Sequence, residues 1–174
     1  NAMYYNVPQS RERVIIIGVR EDLGIEPSHP KPQTQPITVK QALEGVKNDD
    51  EIRQLKPFLA EYAKVHPGGW NTDLDIYKKV KGNTASAASL KWCEWDSVCG
   101  TITKSEIASS GVVHPDKQRY LSLSEIKRLS SFPDAFSFTD RAAGVVRIGN
   151  AVPPNLMRAI AEHIRDNILS EVLS

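Results

Sequence analysis

The apolar positions of this chain fall into short blocks separated by polar and proline-rich stretches. The first block, Val14-Ile15-Ile16-Ile17-Gly18, is continuously apolar and β-branched. Such a run is the pattern of a strand covered on both faces, and therefore of a strand inside a sheet. No later segment supplies enough comparable strands to build that sheet, so its partner strands are expected outside this sequence. The last block has the other period. Met157, Ile160, Ala161, Ile164 and Ile168 recur at helical spacing and predict an amphipathic helix over Asn155 to Leu169, with one face that must dock. In front of it, Arg147 to Pro154 reads as a loop that stops at a helix start. Gly149 and Asn150 tolerate a tight turn, and prolines fit the first helical positions, where the N–H they lack would be unpaired.

Between these blocks the signals are shorter. Glu26 to Thr38 carries Pro27, Pro30, Pro32 and Pro36, which predicts an extended linker and a domain boundary. Thr38 is placed to cap a short helix from Val39 to about Gly45. Ile52, Leu55, Leu59 and Tyr62 repeat at helical spacing, with Pro57 expected to split the segment in two. His66 to Gly69 reads as a turn, and Asn71 or Thr72 starts a helix through Leu74, Tyr77 and Val80 that Gly82 ends. Asn83 to Ser89 follows neither period and is expected to be a surface loop. Val98 to Thr103 is predicted as a strand and Gly111 to Val113 as a short second one. Ser122 with Glu125 forms a capping box, so a helix runs from Leu123 to about Ser130 and stops before Pro133. The mixture predicts a mixed α+β arrangement.

Composition narrows this only a little. At 174 residues the chain can bury a core, and with 25% charged residues and a net charge of +1 its overall balance neither requires nor excludes nucleic acid. Any such binding must come from local patches. Between Glu26 and Lys117 acids and bases cancel, yet Lys78, Lys79, Lys81 and Lys91 enclose a span free of acids. Lysines there suit phosphates, and Asn83, Thr84 and Ser86 suit base edges or sugars; an ordinary solvated face fits equally well. Arg141, Arg147 and Arg158 form a second acid-free span. Cys93 and Cys99 lack a matching Cys or His pair, which argues against a zinc site or a disulfide framework, so no metal is expected. No apolar run approaches the ~20 residues of a membrane span and no signal-like segment opens the chain, so a soluble cytoplasmic protein without a membrane partner is expected. Asn1-Ala2, before Met3, reads either as an expression-tag remnant or as native sequence.

Three blocks in order carry a family resemblance: Val7-Pro8-Gln9-Ser10-Arg11-Glu12-Arg13; Arg119-Tyr120-Leu121-Ser122-Leu123-Ser124-Glu125 with Phe132-Pro133-Asp134; and Gly149-Asn150-Ala151-Val152-Pro153-Pro154. Together they closely resemble the C-terminal portion of the DNA (cytosine-5)-methyltransferases of restriction-modification systems. The resemblance implies an α/β fold, the C-terminal piece of a doubly wound S-adenosylmethionine-dependent domain with an inserted recognition domain. Residues 1–25 and 148–174 then belong to the catalytic domain, 26–118 to target recognition, and 119–147 to a connecting helix and loop. Asn6 stands where the family usually has Gly, and Asn tolerates a left-handed turn better than most residues.

By the same resemblance, Arg13 donates to O2 of the flipped cytosine, Arg11 contacts a neighbouring phosphate and Gln9 holds their loop, while Gly149, Asn150 and Ala151 close the S-adenosylmethionine pocket. A bare structural role, with Arg11 and Arg13 pairing at a strand edge and Gly149 to Ala151 as a cap, is the alternative. The family's nucleophilic Cys after Pro, its Glu-Asn-Val acid and its Gly-rich loop have no match here, so the chain by itself is expected to be inactive. Double-stranded DNA and a missing catalytic half are the implied partners, and a homodimer through the uncovered apolar faces is the further expectation. Two other readings stand beside it: a natural non-catalytic recognition subunit of a split enzyme, and a scaffold domain that has lost DNA binding.

Overall fold

The computed structural model describes residues 1–47, 52–82, 90–104 and 111–170. Local capping chemistry sets most of the helix starts. In α1 (Val39–Leu43), Thr38 and Gln41 form a reciprocal capping box. Pro57 occupies the first turn of α2 (Pro57–Val65), so it opens the helix instead of splitting one. Ile52 and Leu55 are not helical: the Leu55 amide donates to Gln118 O at 3.2 Å and Gln54 bridges to Arg119. Asp73, not Asn71 or Thr72, caps α3 (Leu74–Lys81), accepting from the Asp75 and Ile76 amides, and Gly82 ends it with φ +91.

Strands β1 (Leu90–Trp92) and β2 (Gly111–Val113) run parallel, with Leu90 beside Gly111. Single antiparallel bridges widen the pair, Asn71 to Lys91 on one side and Val113 to Tyr120 on the other, with Gln54 to Arg119 beyond. The strand expected over Val98 to Thr103 is absent; only Cys99 makes one bridge, to Gln9, because side chains take up the Ile102 backbone groups. The Ser122–Glu125 capping box starts α4 (Leu123–Leu129) as expected. Asp140 caps α5 (Arg141–Asn150), and α6 (Pro154–Ile164) continues as a π turn over Arg165–Leu169. Residues 147–150 are thus the end of a helix and not a loop, since Val145 and Ile148 on that helix are buried in the core. The connecting turn shrinks to residues 151–153.

Three apolar clusters hold these elements. The largest joins α1, Cys93, Cys99, Ile102, Val112 and Leu121 to α4 and α5. A second packs α2 and α3 on β1 through Leu59, Tyr62, Tyr77, Trp92 and Tyr120. The third, Ala2, Val7, Leu156 and Ile160, ties the N-terminal segment to α6. Ala2 is fully buried and Asn1 Oδ1 accepts from the Met3 and Arg11 amides, so these two residues are part of the fold. Asn6 takes the left-handed conformation expected of it, with φ 56.

The run Val14 to Gly18 departs from expectation. It pairs with no strand among the described residues; Ile15 and Ile17 pack on the third cluster, while Val14 and Ile16 are each 89% exposed. An extended segment presents alternate residues to opposite sides, and only the α6 side is covered. Among the described residues no helix is long and apolar enough to cross a membrane.

Candidate functional site

Residues 9–11 lie along residues 99–102, where backbone and side chains interlock. The Ser10 amide donates to Cys99 O and the Thr101 hydroxyl returns a bond to Ser10 O, both at 2.7 Å. Gln9 is buried; its Nε2 donates to Ser130 Oγ at 3.0 Å and its Oε1 accepts from the Ile102 amide at 3.3 Å. The N-terminal segment is thereby held to the end of α4 and to the segment after β1 at once.

Arg11 extends this clip to the third region. Its guanidinium, on a residue only 2% exposed, gives Nη1 to Ile102 O at 2.8 Å and Nη2 to Gly149 O at 2.7 Å and Ala151 O at 3.0 Å. Burial lowers its pKa, with the charge of Arg13 second, but a guanidinium starts high enough to stay charged. The phosphate contact expected of Arg11 is not open to it in this arrangement. Its Nη1 and Nη2 are engaged on carbonyls from segments far apart in sequence, and its Nε is buried without a partner. Arg13, two residues on, is exposed, with Nη1 on Glu12 O at 2.6 Å, at the rim of a cavity of about 210 Å³ shared with Tyr5, His29 and Leu156.

The donor-side residues divide similarly. The Ala151 amide caps α5 by donating to Arg147 O and Ile148 O, so it is not a free N–H for an anion. Asn150 is exposed at the helix end. Gly149 faces backbone: a Cβ there would stand 2.3 Å from the Lys104 amide nitrogen and 2.5 Å from the Thr103 carbonyl carbon. Gly149→Ala is therefore expected to lower stability by about 2–3 kcal/mol, the upper range for overpacking, because backbone has to move. Thermal melting of the variant measures this, and an unchanged midpoint would refute the close approach.

On the proposed DNA side, Lys78 and Lys79 are exposed on the last turns of α3. Lys81 sits with Nζ 4.9 Å from the Phe58 ring centroid, and Lys91 Nζ donates to Asn71 Oδ1 at 2.7 Å. Asn83, Thr84 and Ser86 lie outside the described residues. Of the second basic span, Arg141 donates to Leu121 O at 3.0 Å, whereas Arg147 and Arg158 are exposed.

One buried network escaped the reading by residue type. Arg119 makes a two-pronged pair with Glu125 at 2.8 and 2.9 Å, Glu125 also accepts from the Ser122 amide, and His114 and Asp116 close the group. Only its capping-box half was visible in the spacing. Cys93 and Cys99 are buried free thiols 3.7 Å apart. The Cys93 thiol is pushed well up by its hydrogen bond to Cys99 and by burial, which is unlike an activated nucleophile.

Comparison with known proteins adds the family. The chain is 34% identical to the type II methyltransferase M.Eco47II of Escherichia coli over 192 residues, spanning 96% of this chain and 45% of that one. It is 33% identical to M.Sau96I of Staphylococcus aureus (94% and 41%) and 35% identical to M.PspPI of Psychrobacter sp. strain TA137 (94% and 44%). This chain thus spans about half the length of the curated relatives it matches. Among solved structures, a prophage-encoded Escherichia coli protein described as a DNA modification methyltransferase superposes with a TM-score of 0.61 at 21% identity, over 97% of this chain and 58% of that one, a likeness of fold. Residues 1–166 match the model of the C-5 cytosine-specific DNA methylases, and the chain belongs to that family.

Proposed function

We propose that this chain is the portion of a DNA (cytosine-5)-methyltransferase that recognises the duplex and forms one wall of the pocket for the flipped cytosine. The observation that carries this is the Arg11 clip: it gathers the Gln-x-Arg-x-Arg element, the Ile102 segment of the recognition region and the end of α5 at Gly149 and Ala151 at one point, with Arg13 exposed beside them. A planar guanidinium at that rim suits the O2 of an extruded base. Residues 26–118 serve as the recognition region, with Lys78, Lys79, Lys81 and Lys91 as its phosphate contacts. The methyl donor is S-adenosylmethionine, whose pocket residues 149–151 at the end of α5 close; Asn150 is the side chain available for that contact. A cysteine after proline and a Glu-Asn-Val element do not occur among the 174 residues, so a catalytic half supplies the chemistry and this chain alone is inactive. A cytoplasmic location accompanies this role.

Arg13→Ala, assayed in an enzyme reassembled with a catalytic half, is expected to lower the methylation rate by roughly 10²–10³, the usual loss for a donor aimed at an oxygen that gains charge. Unchanged activity would favour the scaffold reading. Selection of duplexes from a random pool by this chain at two salt concentrations tests recognition itself. Enrichment of one short cytosine-containing sequence is the expected result, whereas uniform binding that vanishes with salt would leave only phosphate contacts.

The exposed Ile16 lines a groove of about 460 Å³ together with Leu23, Met157, Ile164 and Ile168. Apolar surface of this kind is expected to drive self-association of the isolated chain. Sedimentation showing only monomer at high concentration would argue otherwise.

A further inference from the structure

We propose that Ser130 is a positioning residue for base capture: through Gln9 it sets where Arg13 stands at the rim of the cytosine pocket, a role that rests on the reading of Arg13 given above. Ser130 is buried at the C-terminal end of α4, where its amide donates to Ile126 O and Lys127 O at 3.1 Å. Its hydroxyl oxygen accepts from Gln9 Nε2 at 3.0 Å. The orientation of that amide is dictated from its other side. The Ile102 N–H can only donate, so the atom it meets at 3.3 Å is Gln9 Oε1, and Nε2 is turned toward Ser130. An alanine at 130 would leave this buried donor without an acceptor and the Gln9 side chain held at one end only.

The next residue grips the same segment a few residues earlier. Ser131 has φ +59, a conformation that side chains rarely adopt, and its hydroxyl oxygen accepts from the Asn155 amide in the first turn of α6 at 3.2 Å. Asn155 Nδ2 in turn donates to Asn6 O at 2.8 Å. Asn6 and Gln9 are thereby both referred to the end of α4, with Val7 fully buried between them. Beyond them, Arg11 takes the carbonyl of the same Ile102 whose amide Gln9 occupies, so the two side chains share one support. Arg13 has no such anchor of its own: it is exposed and its Nη1 bonds to the adjacent Glu12 O, a partner that moves with it. Its aim is inherited from how residues 9–11 are seated. Ser130, at 3% exposure, is too deep to meet a base itself, which separates positioning from contact.

The test is a double-mutant cycle in the enzyme reassembled with a catalytic half: wild type, Ser130→Ala, Arg13→Ala and the double variant, each first shown by thermal melting to be folded, with rates referred to the assembled complex. Ser130→Ala is expected to lower kcat about tenfold, within the roughly 10²-fold that a misplacement of about 1 Å can cost, and to leave the KM for duplex unchanged. On the Arg13→Ala background the same substitution is expected to change kcat by less than about twofold, because the group it aims is gone. An equal loss on both backgrounds would make Ser130 a merely structural residue and overturn the proposal. An unchanged kcat in the single variant, or a loss confined to KM, would overturn it as well. Should Arg13→Ala leave the activity intact, the cytosine-wall reading itself falls, and the aim assigned to Ser130 falls with it.

Discussion

Replacing Arg11 with methionine is expected to reduce the unfolding free energy by about 3–5 kcal/mol. Methionine keeps much of the apolar stem but leaves the carbonyls of Ile102, Gly149 and Ala151 without their donor. Hydrogen bonds to a charged group contribute about 1.5–3 kcal/mol each, and the orphaned acceptors, one buried and two part-buried, do not recover that in full from water. For a chain of this size each kcal/mol moves the melting midpoint by roughly 2–4 °C, so a fall of about 6–20 °C is the expected readout. Arg11→Lys should lie between, since one ammonium cannot span three carbonyls from its compact head. Hydrogen exchange gives the sharper check. Residues 99–103 and 149–151 should lose protection together, because one side chain joins them. A loss confined to the neighbourhood of residue 11 would mean that the two regions are held by something else. The consequence for function is geometric: Arg13 stands two residues from the clip, so whatever fixes Arg11 also aims Arg13.

Why Arg11 reads differently in sequence and in structure is a matter of distance. Its chemistry, a fixed planar cation in a Gln-x-Arg-x-Arg element, was legible. Its partners were not, being carbonyls 91, 138 and 140 residues away. The features that did read well are local: the Thr38–Gln41 and Ser122–Glu125 boxes, Gly82 as a helix end, and the left-handed Asn6. Gly149 and Asn150 misled for the same reason in reverse. They are turn formers by propensity, but the burial of Val145 and Ile148 carries α5 through them, and Gly149 serves the close pass of the Thr103–Lys104 backbone. Val98 to Thr103 has strand-like residues, yet sheet pairing needs a neighbour backbone, and its polar groups were claimed by Gln9 and Arg11.

The other large effect is expected at the buried pair between Arg119 and Glu125. Glu125→Gln or Arg119→Ala removes one partner and leaves the other, so each should cost about 3–5 kcal/mol, whereas replacing both with apolar residues of similar volume should cost much less. The pair matters beyond its own bonds. Glu125 fixes the start of α4 through the Ser122 amide, and Ser130 at the end of that helix holds Gln9. The pH dependence follows from the carboxyl. Burial would raise the Glu125 pKa, but the Arg119 guanidinium and then the Ser122 amide outweigh it and hold the value below the ordinary glutamate range. A carboxyl with a depressed folded-state pKa contributes its full stabilisation above the unfolded value of about 4.3 and loses it as pH falls through the folded value. Wild-type stability should therefore drop below about pH 4, and the Glu125→Gln variant, with nothing to protonate at this position, should drop less over the same interval. The two denaturation curves converge in acid if Glu125 is the ionised partner of Arg119. A gap between them that stays constant from neutral pH to pH 3 would show that Glu125 has the same pKa folded and unfolded, so that its ionised form gains nothing from Arg119, and the pair would then have a far smaller share in holding α4 and Gln9 in place.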